Sequence, residues 1–151
     1  MINMSDYRAN RPRFDALEEI RQNGDFSEFL IAAWGIIETL SNEAILKINK
    51  ITSHDSRAKK LLALKVQSKL DIFKELGKIS EDEYQTIIQF KKKRNYMFHE
   101  GAIFIRGLGQ DDKDEIMDLG MHAADVMHNL NDRVSLNNGK RPSPDSELIK
   151  K

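Results

Sequence analysis

Apolar residues recur at three- and four-residue spacing along most of the chain, so the pattern predicts helices almost throughout. Phe14, Leu17 and Ile20 mark a short first helix, Phe14 to Arg21, that Gly24 ends. The main core helix is predicted over Asp25 to Ile51, with Asp25 or Ser27 as its cap. Its broad apolar face comprises Phe29, Leu30, Ala33, Trp34, Ile36, Ile37, Leu40, Ala44, Ile45 and Ile48. A polar break, Thr52 to Ser56, precedes a third long helix running to about Leu76. Leu61, Leu62, Leu64, Val66, Leu70, Ile72 and Phe73 are expected to face inward there, and Gly77 to close it.

The next stretch, Ser80 to Gly101, opens with a capping box: Ser80 is followed three positions later by Glu83, so hydroxyl and carboxylate can each take the other residue's amide. Ile79 can staple that helix start. Tyr84, Ile87, Ile88, the stem of Lys91, Asn95 and Phe98 are read as its inner stripe, and Gly101 as its stop. A connector with a short strand-like run, Ala102 to Arg106, then leads to a last helix over Asp111 to Val134. Ile116, Leu119, Ala123, Val126, Met127, Leu130 and Val134 line one side of it. His122 and His128 fall off that stripe and are expected to face solvent. Residues 1–13 read as a flexible, arginine-bearing arm, 14–134 as one helical domain, and 135–151 as a disordered tail.

Composition narrows the function classes. Lys and Arg number 24 and Asp and Glu 24, so a globally basic nucleic-acid binder is not indicated and any anion site must be local. No cysteine is present, which removes disulfide frameworks and thiolate metal sites. The histidines show no metal-ligand spacing, and neither metal nor cofactor is expected. No apolar run is read as long enough to span a bilayer, and the N-terminus lacks a signal-peptide apolar region. A soluble cytoplasmic protein is the expectation.

Charge is concentrated at one place. Lys91, Lys92, Lys93 and Arg94 are consecutive, and Asn95 and His99 follow. At about 100° per residue, Asn95 and His99 share a face one turn apart, while Arg94 and His99 diverge by about 140°. One helix therefore presents Asn95 with His99 and sends Arg94 along the flank. Two such helices across a symmetry axis could bring two arginines and two histidines into one cleft. Glu38, between Ile37 and Leu40, is either an exposed flank carboxylate or a partly buried partner that fixes the Arg94 guanidinium by a bidentate pair.

The Arg94-Asn95-x-x-x-His99 string, placed at the end of a capped helix, resembles the HEPN superfamily signature. The helix order over roughly 14–134 is also similar to HEPN proteins, with an internal glutamate at Glu38 and a second helix ending in Leu-Gly-Lys-Ile. The resemblance implies an all-α, four- to five-helix up-and-down bundle that forms a symmetric dimer with both motifs facing a shared cleft. It implies metal-independent cleavage of single-stranded RNA in catalytic members, often within toxin–antitoxin or other defence systems. Arg94, Asn95 and His99 would then be the catalytic residues, Lys91, Lys92 and Lys93 the RNA contacts, and Glu38 a support. An antitoxin or nucleotidyltransferase partner is implied for toxin members.

The side chains suit that chemistry. RNA carries its own nucleophile, and an imidazole titrating near about 6.5 can move its proton. An arginine can donate two parallel hydrogen bonds to the phosphoryl oxygens as charge builds. One departure stands out: Gly101, after Glu100, occupies the place where some HEPN toxins carry a modifiable tyrosine. A non-catalytic HEPN module binding RNA, nucleotide or a partner protein is the alternative reading. An unrelated bundle whose Lys91–Arg94 run is only a solvated face is the third.

Overall fold

The computed structural model describes residues 12–139, with side chains at 13–99 and 107–135. Helix is the only regular structure among these residues, in six segments. They are α1 (Pro12–Asn23), α2 (Phe26–Ile48), α3 (Ala58–Leu62), α4 (Val66–Glu75), α5 (Glu81–Gly107) and α6 (Gln110–Gly139). Of the arm expected at residues 1–13 and the tail expected at 135–151, residues 12–13 and 135–139 are helical, within α1 and α6, and the rest lie outside the described residues.

Local chemistry sets most boundaries. The Asp25 carboxylate accepts from the Glu28 amide at 2.6 Å and caps α2. Gly24 permits the tight entry, because a Cβ there would sit 2.8 Å from the Ile20 carbonyl oxygen. Helix α4 ends in a Schellman motif: Gly77 takes φ of +71°, its amide donates to Lys74, and the Lys78 amide donates to Phe73 at 2.8 Å. The capping box follows at once. Ser80 Oγ accepts from the Glu83 amide at 3.1 Å, and Glu83 Oε1 accepts from the Ser80 amide at 2.9 Å.

Helix α2 forms the centre and packs most extensively on α6. Phe29, Leu30, Ala33, Trp34, Ile37, Leu40, Ala44 and Ile45 are all buried, as their spacing predicted. Asn131 of α6, buried, donates to the Leu40 carbonyl at 2.8 Å and accepts from Lys47 Nζ at 3.1 Å, so the two helices share a satisfied polar node. Fully enclosed Phe29 and Phe90 meet at Gly120 of α6, where a Cβ would lie 2.8 Å from each ring. That glycine lets α2, α5 and α6 approach closely. Pairings of residues 14 with 128 and 21 with 118 make α1 antiparallel to α6, and pairings of 83 with 133 and 90 with 120 do the same for α5.

The structure corrects several expectations. The third helix is two helices: the chain breaks at Ala63–Lys65, where Lys65 is extended with ψ of 153°. Lys69 explains the break, since its buried ammonium donates to the Leu62 carbonyl left open at the end of α3, and also to Asn42 Oδ1. Of the inward set expected there, Leu70 and Phe73 are buried, whereas Leu61, Leu62, Leu64, Val66 and Ile72 are half-buried.

Helix α5 does not stop at Gly101, and the strand-like run 102–106 is its continuation to Gly107. A glycine inside a helix costs only about 1 kcal/mol, so it ends a helix only when a left-handed cap is formed there. His128 is buried rather than solvent-facing, with its ring edge-on to Phe14 at 6.1 Å. The 23-residue α2 is, by length and composition, apolar enough to cross a membrane, which the sequence reading had missed. Half of its most apolar stretch is covered by the bundle.

Candidate functional site

The inner stripe of α5 is buried at Ile87 and Ile88 as predicted but shifts by one position towards its C-terminal end, and this decides how the site is built. Ile87, Phe90 and Met97 are buried, while Asn95 and Phe98 are exposed. On the helical wheel Arg94 falls between Ile87 and Phe90, inside the buried stripe instead of out along the flank. Its guanidinium is half-buried, 5.5 Å from the centroid of the Trp34 ring and 5.0 Å from that of Phe98. Two aromatic faces thus hold one cation, an arrangement that suits a planar, weakly hydrated guanidinium. Arg94 Nη1 donates to Asn95 Oδ1 at 3.1 Å, and Nε is buried without a hydrogen-bond partner among the described residues.

Glu38 is exposed and forms no ion pair with Arg94 among the described residues. Burial lowers the Arg94 pKa, and the charge of nearby Glu38 opposes that effect. The same carboxylate opposes the burial that lowers the pKa of Lys69. Glu38 therefore acts at a distance on two partly desolvated cations. The bidentate clamp on Arg94 is not formed: Glu38 stays exposed, and Arg94 Nη1 donates to Asn95 Oδ1.

Asn95 and His99 do share a face. With Lys92, Tyr96 and Phe98 they line a shallow concavity of about 640 Å³ at the outer side of α5. The three lysines of the run diverge. Lys91 turns toward α4 and donates to Gln67 Oε1 at 2.6 Å, whereas Lys92 and Lys93 are exposed. Consecutive residues point about 100° apart, so the run cannot form one patch on one chain. The Glu100 side chain lies outside the described residues.

A second concavity, of about 870 Å³, runs between α5 and α6 on the other side of Tyr96. Lys92 and Lys93 stand on one wall and Asp112, Glu115 and Asp118 on the other, over Met97 and Ile116. Among the described residues, no three His, Asp or Glu side chains gather as a metal-binding group.

Sequence reasoning missed Trp34 as the platform under Arg94, and Tyr96 and Phe98 as exposed aromatics. Tyr96 and Phe98 flank buried Met97 beside four successive cations, and that interleaving was the available signal. The role of Trp34 left no trace in its own apolar stripe. Comparison with family models, curated proteins and solved structures yielded no match, so the HEPN resemblance rests on the motif and the order of helices alone.

Proposed function

We propose that this chain is a metal-independent endoribonuclease of the HEPN type, soluble and cytoplasmic, acting as a symmetric dimer on single-stranded RNA in a toxin or defence role. The observation that carries the reading is the exposed His99 placed with Asn95 and Lys92 in one concavity, five residues beyond an arginine hydrogen-bonded to Asn95. His99 takes the proton of the 2′-hydroxyl, whose oxygen attacks the adjacent phosphorus. The bond to the 5′-oxygen breaks, and that oxygen takes a proton from the His99 of a second copy. A 2′,3′-cyclic phosphate and a 5′-hydroxyl result.

Around a single helix, Arg94 and His99 diverge by about 140°. A second copy across a two-fold axis is what would bring a guanidinium and an imidazole to one phosphate.

The test is cleavage of single-stranded RNA in EDTA by the purified chain. Cyclic phosphate ends are expected, with cutting abolished in His99→Ala and in Arg94→Ala while light scattering still reports a dimer. Equal cutting by wild type and His99→Ala, or a monomer at micromolar concentration, removes the reading.

The stacking of Arg94 between Trp34 and Phe98 favours a second reading. There Arg94 is structural and the chain is a non-catalytic module binding RNA, nucleotide or a partner protein. Binding without cleavage, unaffected by His99→Ala, would select it.

A further inference from the structure

Net charge is zero over the whole chain, but the two signs are kept apart. Helix α6 carries seven carboxylates and two cations. Residues 56–70, which hold α3, the break and the first half of α4, carry five cations and no carboxylate. The five are not equivalent. Arg57 is engaged with Asp55, to which its Nε and Nη2 donate at 3.1 and 2.8 Å. Lys69 is buried and donates to Asn42 and to the Leu62 carbonyl. Lys59, Lys60 and Lys65 are exposed, and their ammonium groups have no ion pair or hydrogen bond among the described residues. The carboxylates that bracket the stretch are engaged as well, Asp55 with Arg57 and Asp71 with the Tyr84 hydroxyl at 2.6 Å. On the α2 side, Glu38 acts on Lys69 and Arg94.

Buried Ala58 leaves Lys59 and Lys60 facing outward in α3, and Lys65 is the extended residue that opens α4. The Lys91 ammonium, at the head of the cationic run of α5, meets Gln67 of α4 at 2.6 Å, two residues beyond Lys65. The α3–α4 corner therefore adjoins the helix that carries the motif. Along that helix Lys91 and His99 are about 12 Å apart. Like charges gathered without counter-charges repel one another, and a bound anion relieves that repulsion. None of the exposed large apolar side chains, Ile31, Leu76, Tyr96 and Phe98, falls within 56–70, so a lipid surface finds no anchor there. A chain of phosphates needs no apolar anchor, and lysine meets each one as a point charge.

We propose that Lys59, Lys60 and Lys65 form a phosphate-binding track for single-stranded RNA, continuing from Lys91 and holding the strand to one side of the scissile linkage. The inference rests on the RNA reading above. It adds a contact surface outside the motif helix, one that positions the strand without reading its sequence.

The experiment uses the full chain and fluorescein-labelled 12-mers of cytidine or uridine carrying 2′-O-methyl groups, which remove the nucleophile and separate binding from cutting. Fluorescence anisotropy between about 50 and 200 mM salt gives Kd and the slope of log Kd against log salt. The combined Lys59→Gln, Lys60→Gln and Lys65→Gln variant is expected to bind both strands about 10- to 100-fold more weakly at the lower salt. Its slope should fall by about 2, because each phosphate neutralised on a single strand contributes about 0.7. Lys→Arg at the same three positions keeps the charge and should stay within about twofold of wild type. Lys74→Gln removes a cation already paired with Glu81 at 2.8 Å and should leave the slope unchanged.

Equal Kd and slope in wild type and the triple Gln variant would overturn the track while leaving the RNA reading intact. No RNA binding by wild type at all would bring down both. Unchanged RNA binding with lost binding to vesicles of phosphatidylserine and phosphatidylcholine would assign the face to a membrane. Loss of RNA binding together with the dimer in light scattering would assign it to the acidic α6 of a second copy. Either result overturns the proposal.

Discussion

The two ends of α5 are built on different principles. At its N-terminal end polar groups are paired with one another: Ser80 and Glu83 cap each other, and Arg133 of α6 reaches across to Glu83 at 2.8 Å and to the Lys78 carbonyl at 2.7 Å. Tyr84 donates to Asp71 at 2.6 Å, and Lys74 pairs with Glu81 at 2.8 Å. At Arg94 to His99, in contrast, only Met97 is buried, two aromatic rings stand in water, and Arg94 is held by ring faces. One end spends its polar groups on fixing the helix. The other leaves rings, amide and imidazole accessible, as a binding surface requires.

Perturbing the stretch between the ends should have the largest effect on stability. Phe90 is fully buried against Gly120, so Phe90→Ala should cost about 3–5 kcal/mol and lower the thermal midpoint by about 10 °C. A loss under about 1 kcal/mol would mean that the middle of α5 is not part of the core. Ser80→Ala should cost about 1 kcal/mol in urea unfolding, because it removes the side-chain acceptor for the Glu83 amide.

A pH test sharpens the same contrast. Arg133 first, then the Ser80 amide, hold the Glu83 carboxyl below its usual range against some burial. The unfolded chain then binds the proton more readily. This stabilisation is complete above the ordinary glutamate value, near about 4.3, and is lost as pH falls below it through the native value. Glu83→Gln should therefore be less stable than wild type at pH 7, and the gap should narrow steadily below about pH 4. A gap independent of pH would mean that the charge of Glu83 contributes nothing. The smallest effect is expected at the other end: Tyr96→Ala should leave the midpoint nearly unchanged, since its ring is half in water.

Legibility followed the same division. The Ser80–Glu83 box, the Asp25 cap and the Gly77 closure could be read from sequence because each is a contact among residues within five positions. The buried face of α2 was equally legible, since a helix surrounded by partners needs only a consistent period. The C-terminal part of the α5 stripe was misplaced because Phe98 and Arg94 exchange the roles their polarity suggests: the apolar ring stays out and the cation turns in. That exchange depends on Trp34, sixty positions earlier.

What the sequence determined by itself is therefore helix: where α2 and α5 begin, where α4 ends, which face of α2 is apolar, and that Asn95 and His99 lie one turn apart. These follow from hydrogen bonds and periodicities a few residues long. The tertiary structure alone decided that Lys69 ends α3, that His128 is enclosed, that Arg94 lies between two rings, and that Lys92 and Tyr96 line two concavities at once. Each of those needs surfaces from helices distant in the chain, and side-chain polarity does not encode which distant surface will arrive.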